Sequence, residues 1–254
     1  MNKHRRKLGI LSESTMRQCA YVCLLACAIA LCGCWREPGR RTECANNLRQ
    51  MWFVFKMYAD EWEGRFPPID DRRGNLTVDG DAVFPEYGQT SLLNCTRCPS
   101  NRYHAPVDGP GTADGVTDRS YFYLGWAITT EAEGLALLDE YELLDLAERD
   151  HDVMYLRRPP GSYTEAAYRL REGIERFFIT DISSPAAADM AGAAMPVMWD
   201  RLENHAPDGG NVLYFDGHVE FVKHGTFPMT TTFVNRLTEV SAGKDSRGES
   251  RPPD

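Results

Sequence analysis

Apolar residues recur along 44–62 at spacings of four, three, four, three and four: Cys44, Leu48, Met51, Phe55, Tyr58 and Trp62. That period predicts one helix with a continuous buried stripe, capped by Thr42 and ended by Gly64 ahead of Pro67 and Pro68. Between 65 and 120 the runs "FPP", "DDRRGN", "VDGD" and "APVDGPGTADG" predict loops, with short strands around 76–78, 82–84 and 120–124. Thr130 and Glu133 stand in capping-box spacing at the head of a helical stretch that runs toward Asp150. Ser162 and Glu165 repeat that spacing before Ala167, Leu170, Ile174 and Phe177, which predicts a second helix there. "FFITDI" and "MPVMWD" have strand length, "TTTFVNRLTEV" reads as a closing helix, and residues 241–254 have the composition of a disordered end.

The stretch "NVLYFDGHVEFVK", 211–223, reads as a hairpin turning at Asp216 and Gly217, a pair suited to a two-residue type I′ turn. Phe215 then pairs with His218, Tyr214 with Val219 and Val212 with Phe221. The last four share the core face; His218 and Glu220 fall on the other. The order of one long helix, mixed loops and helices, and a final strand cluster predicts an α+β domain in which the helix packs on an antiparallel sheet, with inserted helices.

The N-terminus changes the picture. Residues 19–31, "CAYVCLLACAIAL", form an uncharged apolar run after basic residues; thirteen helical residues span about 20 Å, short of a ~30 Å hydrocarbon core. This is a signal-peptide pattern over 1–33, with Met16 as an alternative start that places "MRQ" directly before the run. It closes in "LCGC", which resembles the lipobox of bacterial lipoproteins and implies that Cys34 is lipidated, with 34–41 as a tether and 42–240 as the folded domain. The expected location is the bacterial cell envelope, membrane-anchored and facing the periplasm or the outside.

Of eight cysteines, Cys19, Cys23, Cys27 and Cys32 leave with the signal and Cys34 carries lipid, so Cys44, Cys95 and Cys98 remain. Export permits a disulfide, read as Cys44 to either Cys95 or Cys98 and contributing about 2–4 kcal/mol. A thioredoxin-like role for "CTRC" needs a helix after the first cysteine, and Pro99 with the turn-rich run behind it does not look like one. A zinc site needs a fourth ligand, which spacing does not indicate. The chain's net charge of −9 becomes −13 once 1–33, with five Lys or Arg and one Glu, are gone, which excludes nucleic acid as a partner.

"CANNLRQMWFVFKMYADEWEGRFPP", "NCTRCPS" and "HAPDGGNVLYFDGHVEFV" together resemble type II secretion pseudopilin-like proteins, of the group defined by a histidine, nine residues and Asp-Gly. Ten residues separate His205 from Asp216 here. The resemblance implies a pilin-like fold and a structural or protein-interaction role, with envelope or secretion-system proteins as partners. Where pseudopilins run an apolar membrane segment into the helix, this chain has a lipobox and "WREPGRR"; a membrane-helix-anchored component of a secretion or pilus-like assembly is the alternative.

No nucleophile elbow, Ser-x-x-Lys or paired carboxylates stand out, so the expectation is a non-catalytic protein without a cofactor. Two weaker metal readings remain. His205, Asp216 and His218 form a zinc-type set if 205–210 folds back over the hairpin, as a metal-dependent periplasmic enzyme would need, and Asp70, Asp71, Asp79 and Asp81 offer oxygens to calcium.

Overall fold

The computed structural model describes residues 39–72, 74–93, 95, 98, 116–144, 150–162, 164–205 and 208–242. The chain divides into two units, 1–40 and 41–254, and the strands among the described residues belong to the second. The expected signal segment, Cys34 and the tail beyond Ala242 lie outside the described residues.

Helix α1 is described over 39–61, so Thr42 lies inside it rather than capping it. Its stripe is buried as the periodicity predicts from Cys44 through Tyr58, whereas Trp62 is 54% exposed and stacks on Tyr58. Helix α1 ends where the backbone turns left-handed at Glu63 and Gly64 and the Gly64 N–H returns to the Ala59 carbonyl.

The sheet is antiparallel throughout, in the order β1 (Tyr121–Tyr123), β4 (Pro196–Asp200), β5 (Gly209–Tyr214), β6 (Val219–Lys223). A separate pair, β2 (Val153–Met154) and β3 (Ala166–Ala167), lies outside it. Alternation along the strands supplies two cores. Tyr121, Tyr123, Met198, Leu213 and Phe215 join the α1 stripe; Phe122, Trp199, Val212, Tyr214 and Val222 join α3 (Glu131–Tyr141) and α6 (Thr231–Ser241). Each fully buried Leu, Phe or Met contributes about 1.5–3 kcal/mol, so both cores favour this layering of helix, sheet and helix pair. The α+β class and the antiparallel sheet are therefore as expected.

Several local expectations are corrected. The hairpin register is one residue away from the two-residue turn: Leu213 pairs with Val219 and Val212 with Glu220, and Tyr214 and His218 are bonded across the loop. Phe215, Asp216 and Gly217 form a three-residue loop in which only Gly217 has positive φ (+89°). The slip places His218 on the Tyr214 face, where the two rings stack at 4.4 Å.

The helix expected after Ser162 is not formed. Ser162 Oγ accepts from the Thr164 N–H, and 166–171 runs extended, bridging Trp126 with Arg169 and Arg65 with Arg171. Backbone pairing and the buried Arg169, which donates to the Gly125 and Pro67 carbonyls, outweigh the helical pattern. "FFITDI" is not a strand: Phe177 and Phe178 close a 3-10 turn at Ile174–Phe178, and the chain then enters α4 (Pro185–Ala193), capped by Ser184. The strand expected around 82–84 is not formed: Ala82 and Val83 belong to the short helix α2 (Gly80–Val83), capped by Asp79, and Phe84 closes it. The Thr130–Glu133 capping box is present as expected, although α3 ends at Tyr141.

Candidate metal centre

Three cysteines distant in sequence meet beneath the first turns of α1. Cys44 belongs to the stripe that faces the sheet. Cys95 and Cys98 occupy a turn closed by the Cys98 N–H on the Cys95 carbonyl at 3.1 Å, and the Cys95 N–H fastens that turn to Ser120 Oγ at 3.0 Å. The Cys44 sulfur lies 3.7 Å from that of Cys95 and 3.5 Å from that of Cys98. All three are buried thiols, so the expected disulfide is not formed in this structure.

A buried polar pair adjoins them. Asp200 ends β4 and His205 ends the short helix α5 (Leu202–His205); His205 Nε2 lies 3.1 Å from Asp200 Oδ2, and neither side chain reaches solvent. Asp200 Oδ2 accepts from the Asn211 N–H at 2.8 Å and its Nδ2 at 2.7 Å, while Asn211 Nδ2 also donates to the Arg41 carbonyl at 3.1 Å. Asp200 Oδ1 has no hydrogen-bond partner among the described residues. The three sulfurs lie within 4.8 Å of one another, and so do the Cys44 sulfur, an Asp200 oxygen and a His205 ring nitrogen. Cys44 is common to both groups.

Ser120 ties the halves together. Its hydroxyl holds the cysteine turn, and its carbonyl accepts from the Arg201 N–H and from Asn204 Nδ2, both at 3.1 Å, which sets α5 against β1. The hydrogen bonds that the Cys44 thiol donates to Cys95 and Cys98, together with burial, push it far above its usual range. The bond from Cys44 lowers the Cys98 thiol, yet Cys95 and burial leave it raised. Burial raises the Asp200 carboxyl, opposed by His205 and Asn211. Sealed neutral thiols of this kind are poorly placed for thiol–disulfide exchange, which needs an accessible thiolate. Their chemistry is that of soft metal ligands.

The histidine set of the weaker metal reading at the hairpin is not brought together. Six residues of β5, about 20 Å of extended chain, separate His205 from Asp216 and His218. Asp216 instead closes its own loop, accepting from the His218 N–H at 3.0 Å, with His218 Nδ1 at 2.5 Å. Of the calcium candidates, Asp70 accepts from Arg72, and Asp79 from the Asp81 N–H. Sequence reading missed Asp200 entirely; its signal was a lone carboxylate closing a fully apolar strand, five residues before a histidine. No family model, curated protein or solved structure matches the chain.

Proposed function

We propose that this chain is a non-catalytic, lipid-anchored envelope protein whose pseudopilin-like domain serves a structural or protein-interaction role. The observation that carries the reading is helix α1, packed by a single apolar stripe on a four-stranded antiparallel sheet, in a chain whose "LCGC" at 31–34, just ahead of that helix in sequence, resembles a lipobox. The buried thiols, poorly placed for thiol–disulfide exchange, favour a scaffold over a redox enzyme. Among the described residues no helix is long and apolar enough to cross a membrane, and an acyl chain on Cys34 would supply the attachment. Its partners would be envelope or secretion-system proteins, and the mature charge of −13, after loss of five Lys or Arg and one Glu from −9, disfavours nucleic acid.

Intact mass of the protein from the membrane fraction tests this. A mature chain beginning at an acylated Cys34 is the expected result. Retention of residues 16–33 without acylation overturns the lipoprotein and favours a secretion-type pseudopilin held by a membrane helix.

A further inference from the structure

We propose that Cys44, Cys95, Cys98 and His205 are the four ligands of one zinc ion, a closed structural site that clamps α1 to the sheet, with Asp200 orienting the imidazole. The sulfur spacing fits. Zn–S bonds of about 2.3 Å in a tetrahedron give S···S edges of about 3.8 Å, and the Cys44 sulfur stands 3.7 and 3.5 Å from its neighbours. Two cysteines on one hydrogen-bonded turn and a third from a helix supply three sulfurs, and His205, which is within 4.8 Å of the Cys44 sulfur, completes a Cys3His set, a common structural zinc composition, by closing on the other two as the ion binds.

The buried pair strengthens the case. An aspartate and a histidine at zero exposure are costly in an apolar core unless they hold each other or an ion. A disulfide would use two of the three sulfurs and leave the third thiol outside any bond. A zinc ion engages all of them: three thiolates and an imidazole bind it, and the carboxylate 3.1 Å from the ring supplies the outer contact that fixes a ligating histidine. Thiolate-rich sites select zinc over calcium or magnesium, which prefer oxygen. The ligands' supports are independent of any ion, since Ser120 holds both the cysteine turn and α5, and Asn211 holds Asp200 to α1 and β5. No solvent-facing position is left on the set, which marks the site as structural. All five residues lie within 41–254, so the site stands or falls apart from the N-terminal anchor.

The full chain, purified from the membrane fraction in detergent without chelator, tests the proposal. The expected result is zinc whose K-edge absorption fine structure fits three sulfurs at about 2.3 Å and one nitrogen at about 2.0 Å. Cys98→Ser and His205→Ala should each lose one equivalent of bound zinc, Asp200→Asn should weaken binding about 10- to 100-fold, and His218→Ala should bind as the wild type does. Should the ligand variants fail to fold, the wild-type chain decides by acid-quenched alkylation and peptide mapping, where Cys44, Cys95 and Cys98 are expected as thiols once the metal is stripped. A disulfide from Cys44 to Cys95 or Cys98 in that map overturns the proposal. So does a reduced wild-type chain that takes up no zinc, or zinc whose shell contains no sulfur.

Discussion

Asp200 and His205 face each other at 3.1 Å with both side chains sealed from solvent, five residues apart on either side of the bend that leaves β4 for α5. Asp200 is not held by His205 alone. Asn211 on the neighbouring strand gives Asp200 two N–H donors and ties the pair to the Arg41 carbonyl.

Asn211 is therefore expected to matter more than a polar residue on an otherwise apolar strand would suggest. Asn211→Ala removes the Nδ2 donor from a buried carboxylate and from Arg41, and should cost about 1.5–3 kcal/mol. Denaturant unfolding should show a lower midpoint with the slope unchanged. A midpoint equal to wild type would mean that the pair tolerates the loss.

Arg169 carries the segment that sequence patterning assigns to a helix. Its guanidinium is buried, donates to the Gly125 and Pro67 carbonyls and lies 4.9 Å over the Trp126 ring. Arg169→Ala should destabilise by about 2–4 kcal/mol, because two buried carbonyls lose their partner and packing on the indole is lost. Near-ultraviolet circular dichroism, which reports the Trp126 environment, should change alongside the unfolding midpoint.

Gly134 on α3 stands where a Cβ would meet the Phe233 ring of α6 at 2.5 Å. Alanine, a better helix former, should stabilise an isolated α3 yet destabilise the protein by about 1–3 kcal/mol, since overpacking outweighs the propensity gain. Thermal unfolding of Gly134→Ala gives the sign directly.

At the hairpin, Gly217 and His218 should differ sharply. Gly217 has φ +89°, and a Cβ there would meet Trp52 Nε1 at 2.5 Å, so Gly217→Ala should cost about 1–3 kcal/mol. His218 is part-exposed and bonded only within its own loop and ring stack, so His218→Ala should shift stability by less than about 1 kcal/mol. Paired melting curves of the two variants check both, and a costly His218→Ala would assign the histidine a role that its surroundings do not explain.

Helix α1, the Thr130–Glu133 capping box, β4 and the closing helix α6 could be read in the chain because their signals are local. A 3.6-residue period, a reciprocal cap and an apolar run of strand length each involve residues a few positions apart. The stretch 166–171 could not be, because its helical pattern competes with partners at Arg65, Gly125 and Trp126 that lie 40 or more positions away in sequence. The hairpin was half legible. Asp-Gly marked the turn, but the loop has three residues rather than two, and that single step decided which face His218 occupies.

By itself, then, the sequence determined the α+β class, the stripe that puts Cys44 against the sheet, and the three cysteines that lie beyond residue 34. Only the tertiary structure decided that Cys95, Cys98, Asp200 and His205 converge on Cys44. Their meeting depends on three crossings without local code: the cysteine turn onto Ser120, α5 onto the same residue, and Asn211 onto Asp200. Spacing along a chain reports which side chains share a face; which faces meet is settled by the burial of both sides of the sheet at once.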